Sequence, residues 1–244
     1  MRRSGLAALA CLLAMPAGAQ GMLEGRAIVT GMDERSRPKG VRTGLREVLA
    51  RVAGDPNMAG DPRVDSLDVD GMLLSFAYVD RMGHLPRQDE QGSRDRPYDL
   101  YTYWDPAAVQ DALRSLGSAP WPLAERPVVT VRVRVAPRVG EPFVLAPDTD
   151  VDERHRAALL AAGGRFGVVL RIDPAPDRSD VGPGTALLDG TMNWRDGEGW
   201  QAEWALDWEG RTRAWNVAGV SFDEAYRNGV GEAARQMSMY WANR

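Results

Sequence analysis

Few side chains in this 244-residue sequence stand at spacings that chemistry could use. Ser36-Arg37-Pro38-Lys39 spells the Ser-x-x-Lys pattern, in which a lysine one helical turn on deprotonates a serine nucleophile. Lys39 is the only lysine, so the Lys-Thr-Gly element of that chemistry cannot exist, and no Ser-Asp-Asn is present. A helix-capping serine beside a solvated lysine is the expectation. Asp148, Asp150 and Asp152 copy the first three ligands of a calcium loop. Glu153 stands where a glycine must turn that loop, however, and Leu159 where a bidentate glutamate must close it. Helix-capping acids satisfy the same letters. For zinc there are two histidines, His84 and His155, far apart and expected at the surface, with no cysteine beside them. No Gly-x-Ser-x-Gly elbow, phosphate loop or dinucleotide fingerprint occurs. The sequence therefore predicts no catalytic residue, no cofactor and no metal.

Two features remain. Trp200, Trp204 and Trp208 fall on one side of a segment and could form a stacking platform for glycan, a partner surface, or core beneath a helix; core is the expectation. Arg132 and Arg134 fall on the side of a strand opposite a row of valines; a solvated face is the expectation, and an anion or partner contact the alternative.

These residues need elements to hold them. Residues 24–30 read as a strand. Ser36 and Pro38 then open a helix whose Val41, Leu45, Val48, Leu49 and Val52 recur at helical spacing until Gly54. Residues 62–75 are a weaker helix candidate running into a strand near 75–81, and 84–97 is polar and aperiodic. Tyr98–Trp104 reads as a strand and Asp105-Pro106 as the start of a capped helix ending at Gly117. Three prolines between Ser118 and Pro127 mark a boundary. Beyond it Val129, Val131, Val133 and Val135 alternate with Thr130, Arg132 and Arg134.

A helix over about 150–162, a buried strand over 166–172 and a loop over 173–184 follow. Ala186–Trp194, Trp200–Trp208 and Arg211–Val217 then read as a meander. Spacing by four would also make Trp200, Trp204 and Trp208 a helix face. Strict alternation with Gln201, Glu203, Asp207 and Glu209, bracketed by Gly199 and Gly210, decides for a strand. Ser221-Phe222-Asp223-Glu224 is a capping box, opening a helix whose Tyr226, Val230, Ala233, Met237 and Tyr240/Trp241 make a stripe suited to cover the tryptophans. The class is α+β. It comprises two small α/β-sandwich-like domains over 20–120 and 121–244, the second a strand-helix-strand plus a three-stranded antiparallel meander closed by a C-terminal helix.

Residues 1–19 read as a secretory signal peptide. Arg2 and Arg3 precede an apolar run, Leu6 to Ala14, and the small residues Ala17 and Ala19 set a cleavage site between Ala19 and Gln20. The run is about half the ~20 residues that span a bilayer, so no transmembrane span is expected. Cys11, the only cysteine, lies in this leader without a lipoprotein box, so the mature chain has no disulfide. Formal net charge is −4, and loss of Arg2 and Arg3 makes the remainder more acidic. That excludes nucleic acid as an expected partner. The single lysine among so many arginines fits a GC-rich bacterial genome.

Gly25-Arg26-Ala27-Ile28-Val29, followed by Gly44-Leu45-Arg46-Glu47-Val48-Leu49-Ala50-Arg51-Val52-Ala53-Gly54, resembles the start of the domain of unknown function 2066 family. Phe76-Ala77-Tyr78-Val79, Tyr103-Trp104-Asp105-Pro106-Ala107-Ala108-Val109 and Trp121 with Arg126-Pro127 follow in that family's order, over most of 24–136. The family is mostly secreted bacterial proteins without assigned activity. The resemblance implies a location and a fold and supplies no catalytic residue. The second half is similar to small periplasmic domains such as the amino-terminal domain of TolB, which serve as assembly modules. The expectation is a non-enzymatic periplasmic binding or assembly module with an envelope protein partner. The alternative is an envelope glycan-binding protein or a carboxylate-dependent glycan hydrolase.

Overall fold

The computed structural model describes residues 23–84, 88–89, 92–93, 96–148, 152–176 and 184–243. The expected leader with Ala19 and Gln20, Asp150, and much of 84–97 and 173–184 lie outside the described residues. The chain is α+β, with a three-stranded and a six-stranded sheet, each backed by helices on one face.

The first half runs β1 (Leu23–Val29), α1 (Arg37–Ala53), α2 (Val69–Met72), β2 (Leu73–Asp80), a short pairing of β3 (Gln88–Asp89) with β4 (Gly92–Ser93), β5 (Tyr98–Trp104) and α3 (Pro106–Ser115). The sheet order is β1-β5-β2, antiparallel throughout. The helical spacing of Val41, Leu45, Val48 and Leu49 turns all four onto Leu100 and Trp104 of β5. Asp105 caps α3 by accepting from Ala107 N and Ala108 N.

Two expectations are corrected here. Ser36 holds the N-cap position of α1 without capping through its side chain; its hydroxyl donates to Gly31 O at 2.9 Å. Residues 62–75 are no helix but a 3-10 turn (Pro62–Ser66), the single turn α2, and the start of β2. Asp61 and Asp68 each cap a fresh turn by accepting from Arg63 N and Gly71 N, which divides the segment.

The second half runs β6 (Val128–Ala136), β7 (Phe143–Val144), α4 (Glu153–Phe166), β8 (Val169–Ile172), β9 (Thr185–Arg195), β10 (Gly199–Trp208), β11 (Arg211–Val220) and α5 (Phe222–Ala242). The strand order is β11-β10-β9-β6-β7, with β8 also on β6. β6 is parallel to β8 and β9, and the meander β9-β10-β11 is antiparallel. Glu209 and Gly210, both at positive φ (50° and 70°), make the tight turn between β10 and β11.

The helix expected over 150–162 instead runs through Gly163 and Gly164 to Phe166 and ends at Gly167. The strand placed at 166–172 is consequently shorter. It is also not buried: β8 lies at the sheet edge, with Val169 63% exposed.

Trp121 and Arg126 join the halves. Trp121 N donates to Val52 O at 2.9 Å, and its ring lies 4.8 Å under the Arg126 guanidinium. That guanidinium donates to the carbonyls of Arg51 and Val52 at the end of α1 (3.0 Å each), of Phe166 and Gly167 at the end of α4 (3.2 and 2.9 Å), and of Trp121. Helix C-termini carry negative partial charge, so two of them hold one cation where a carboxylate would ordinarily be needed. Burial, with Arg51 nearby, still lowers the Arg126 pKa to about 10.

Candidate functional site

The tryptophans come first because the sequence left their role open. On β10, Trp200, Ala202, Trp204, Leu206 and Trp208 all face α5 and are buried. A Cβ on Gly190 of β9 or Gly229 of α5 would lie 2.4 or 2.3 Å from the Trp204 ring, so glycine on both sides is what lets the indole sit flat between sheet and helix. Trp208 meets Tyr240 edge-on at 4.8 Å. The meander face is core, and no glycan can stack on it.

The opposite face of the same sheet carries the other candidates. Strand pairing aligns Arg134, Thr191, Glu203 and Asn216 in one row and Arg132, Asp189, Ala205 and Ala214 in the next. Arg132 and Arg134 are not simply solvated. They share the Asp189 carboxylate, Arg132 through a short ion pair and Arg134 at 2.9 Å, and Arg134 also donates to Thr191 Oγ1 at 3.3 Å. The Asp189 hydrogen bond raises the Arg132 pKa. A shallow hollow of 450 Å³ opens in front of this row, with Glu203 and Asn216 on its wall. A basic pair that already shares one carboxylate, with Glu203 beside it, offers little to a polyphosphate. It suits a protein surface of mixed charge.

His155 departs furthest from expectation, because it is half buried rather than at the surface. Its ring stands 5.3–5.8 Å from those of Phe222, Phe143, Trp200 and Tyr226, and Nδ1 lies 2.9 Å from the Tyr226 hydroxyl. Burial pushes the imidazole pKa down and the phenol pKa far up, so the hydrogen bond between Nδ1 and the phenol oxygen joins two neutral groups. A hollow of 470 Å³ opens beside the ring, with Glu141, Glu153 and Phe143 on its wall and no serine, threonine, cysteine or lysine among the described lining residues. The pair is a hydrogen-bonded corner of the core. Sequence alone could not show it, since its rings come from β7, β10, α4 and α5.

The weaker motifs dissolve on inspection. Lys39 is exposed, and the Ser36 hydroxyl is committed to a backbone carbonyl. Asp152 is buried, accepting from Ala146 N at 3.1 Å and pairing with Arg156 at 3.0 Å, while Asp148 is exposed. Among the described residues no group of three or more His, Cys, Asp or Glu is placed to hold a metal ion. Among them, too, no helix is long and apolar enough to cross a membrane.

Comparison with known proteins agrees with a family of unknown function. Residues 17–122 match a family described as Domain of unknown function (DUF8605). No curated protein matches. A solved structure described as "Crystal structure of uncharacterized protein" is 15% identical, with a TM-score of 0.26 over 49% of this chain and 94% of that one.

Proposed function

We propose that the chain is a non-enzymatic binding or assembly module of the bacterial cell envelope, delivered to the periplasm by cleavage between Ala19 and Gln20. The reading takes in the resemblance to the domain of unknown function 2066 family and a division into domains over 20–120 and 121–244. One observation carries it. Both sheets keep their described helices on a single face, α1 on the first and α4 with α5 on the second, so each turns its other face outward. A sheet face left open on this scale is a ready surface for another protein. On the larger sheet the Arg132–Asp189–Arg134 row would make the polar contact.

The test is affinity capture of the tagged, secreted chain after mild cross-linking in envelope extract. One or two stoichiometric partners, lost on Arg134→Glu, are expected. Capture of nothing, or of the same proteins by wild type and variant, would remove this surface from the reading.

A further inference from the structure

The edge of β2 is built for a strand it does not have. Among the described residues, Leu73–Val79 of β2 pair with β5 alone, so the other side of this stretch presents N–H and C=O groups that no described strand takes up. Edge strands that remain single are guarded by charge, proline or a covering element. Residues 73–79 contain neither a charge nor a proline. Instead Leu74, Phe76 and Val79 are 52%, 40% and 51% exposed. The far edge of the other sheet differs, for β11 begins with Arg211 and Arg213. Beside β2, between it and the start of α1, lies a hollow of 530 Å³ where Leu67, Leu73 and Phe76 meet the charged Arg37, Arg42 and Asp70. A strand edge with exposed apolar side chains and a trough of mixed apolar and charged lining run side by side.

We propose that the occupant of this edge is the β2 strand of a second copy, laid antiparallel, so that two three-stranded sheets join into one. Three observations select a second copy. The strand is self-complementary: with no charge over 73–79, no like charges are opposed along it. A two-fold axis perpendicular to the sheet keeps α1 of both copies on the same side, so the exposed apolar residues beside one trough meet those beside the other. The ends also match. Antiparallel pairing brings each copy's exposed Arg81, only loosely held at 3.8 Å from Asp99, to the end where the second copy's exposed Asp68 and Asp70 stand. Asp80, which would travel with Arg81, is already neutralised by Arg96 at 3.0 Å.

This inference stands apart from the envelope reading and is tested on the purified chain alone. Sedimentation equilibrium over a roughly hundredfold concentration range should give a dimer that dissociates on dilution. Val79→Lys, at an exposed position, should raise the dissociation constant about tenfold or more while leaving the unfolding midpoint of the monomer in place. Arg81→Glu should weaken the dimer and Arg81→Glu with Asp70→Arg should restore it, which keeps the test decisive if the lysine variant folds poorly. A monomer at every concentration, or a dimer unmoved by these substitutions, overturns the proposal. Capture of an envelope partner in the presence of a strictly monomeric chain would leave the functional reading intact and refute only this one.

Discussion

In the six-stranded sheet the large apolar side chains of β10 are enclosed by α5, and the opposite face carries charge neutralised within its own rows. The three-stranded sheet buries Leu100 and Trp104 under α1 but leaves Ile28 and Val79 at 62% and 51% exposure on its other face. Each sheet has its described helices on one face only, but the open face of the larger is charged and internally paired while that of the smaller is partly apolar. The difference follows from what each strand has to hide. Three tryptophans on one strand demand a 21-residue helix as cover, whereas seven- and eight-residue strands satisfied by a single helix leave apolar residues over. Stability is thus concentrated in the second half, and unmet apolar surface in the first.

Trp204→Ala would break that comparison most sharply. The indole is fully buried between Gly190 and Gly229, so its removal should cost about 3–5 kcal/mol in urea unfolding. Phe76→Ala, at the exposed β2 edge, is the matched control and should cost about 1 kcal/mol or less.

Arg126→Met should come next, at about 2–3 kcal/mol. It leaves the carbonyls at the ends of α1 and α4 without their shared donor, and with it the halves lose their main polar tie. Tryptophan fluorescence reports chiefly the second half, so the fluorescence and far-ultraviolet transitions should separate in this variant while coinciding in the wild type.

The smallest effect expected is a pH dependence from His155. Its folded pKa lies below the ordinary value of 6.5 because of burial. The unfolded chain therefore takes up the proton first. Stability is full above that value and declines as pH falls through it toward the folded pKa. His155→Gln keeps a hydrogen-bonding group near the Tyr226 hydroxyl but cannot titrate, so its stability profile over that window should be flatter than the wild type's.

How far the sequence speaks for itself depends on the range of the interaction. Strand β10 is legible because alternation and its flanking glycines are local, and so are the Asp105 cap and the α5 stripe. The end of α4 is not, because Gly163-Gly164 reads as a stop while the helix continues through both to Phe166. Residues 62–75 mislead for the opposite reason: apolar spacing suggests a helix, and aspartate caps inside the segment cut it into turns. Arg132 and Arg134 are legible as a face but not as a pair, since Asp189 reaches them from a strand more than fifty positions away. The His155 corner is legible least, as its ring partners arrive from β7, β10 and α5, three separate parts of the chain.

The Arg126 clamp has a consequence for the order in which the chain can be completed during synthesis. Its two sets of acceptors lie on opposite sides of it in sequence, one about seventy-five residues earlier and the other about forty later. When Arg126 leaves the ribosome α1 can already exist, but the Phe166 and Gly167 carbonyls that take up the guanidinium have not been made. The first half consequently waits as an unlatched intermediate until residue 167 has emerged, its strand edge and open face uncovered meanwhile. A translational pause or a truncation between residues 126 and 167 would hold the chain in that state, and it is there that a holdase chaperone would be most needed.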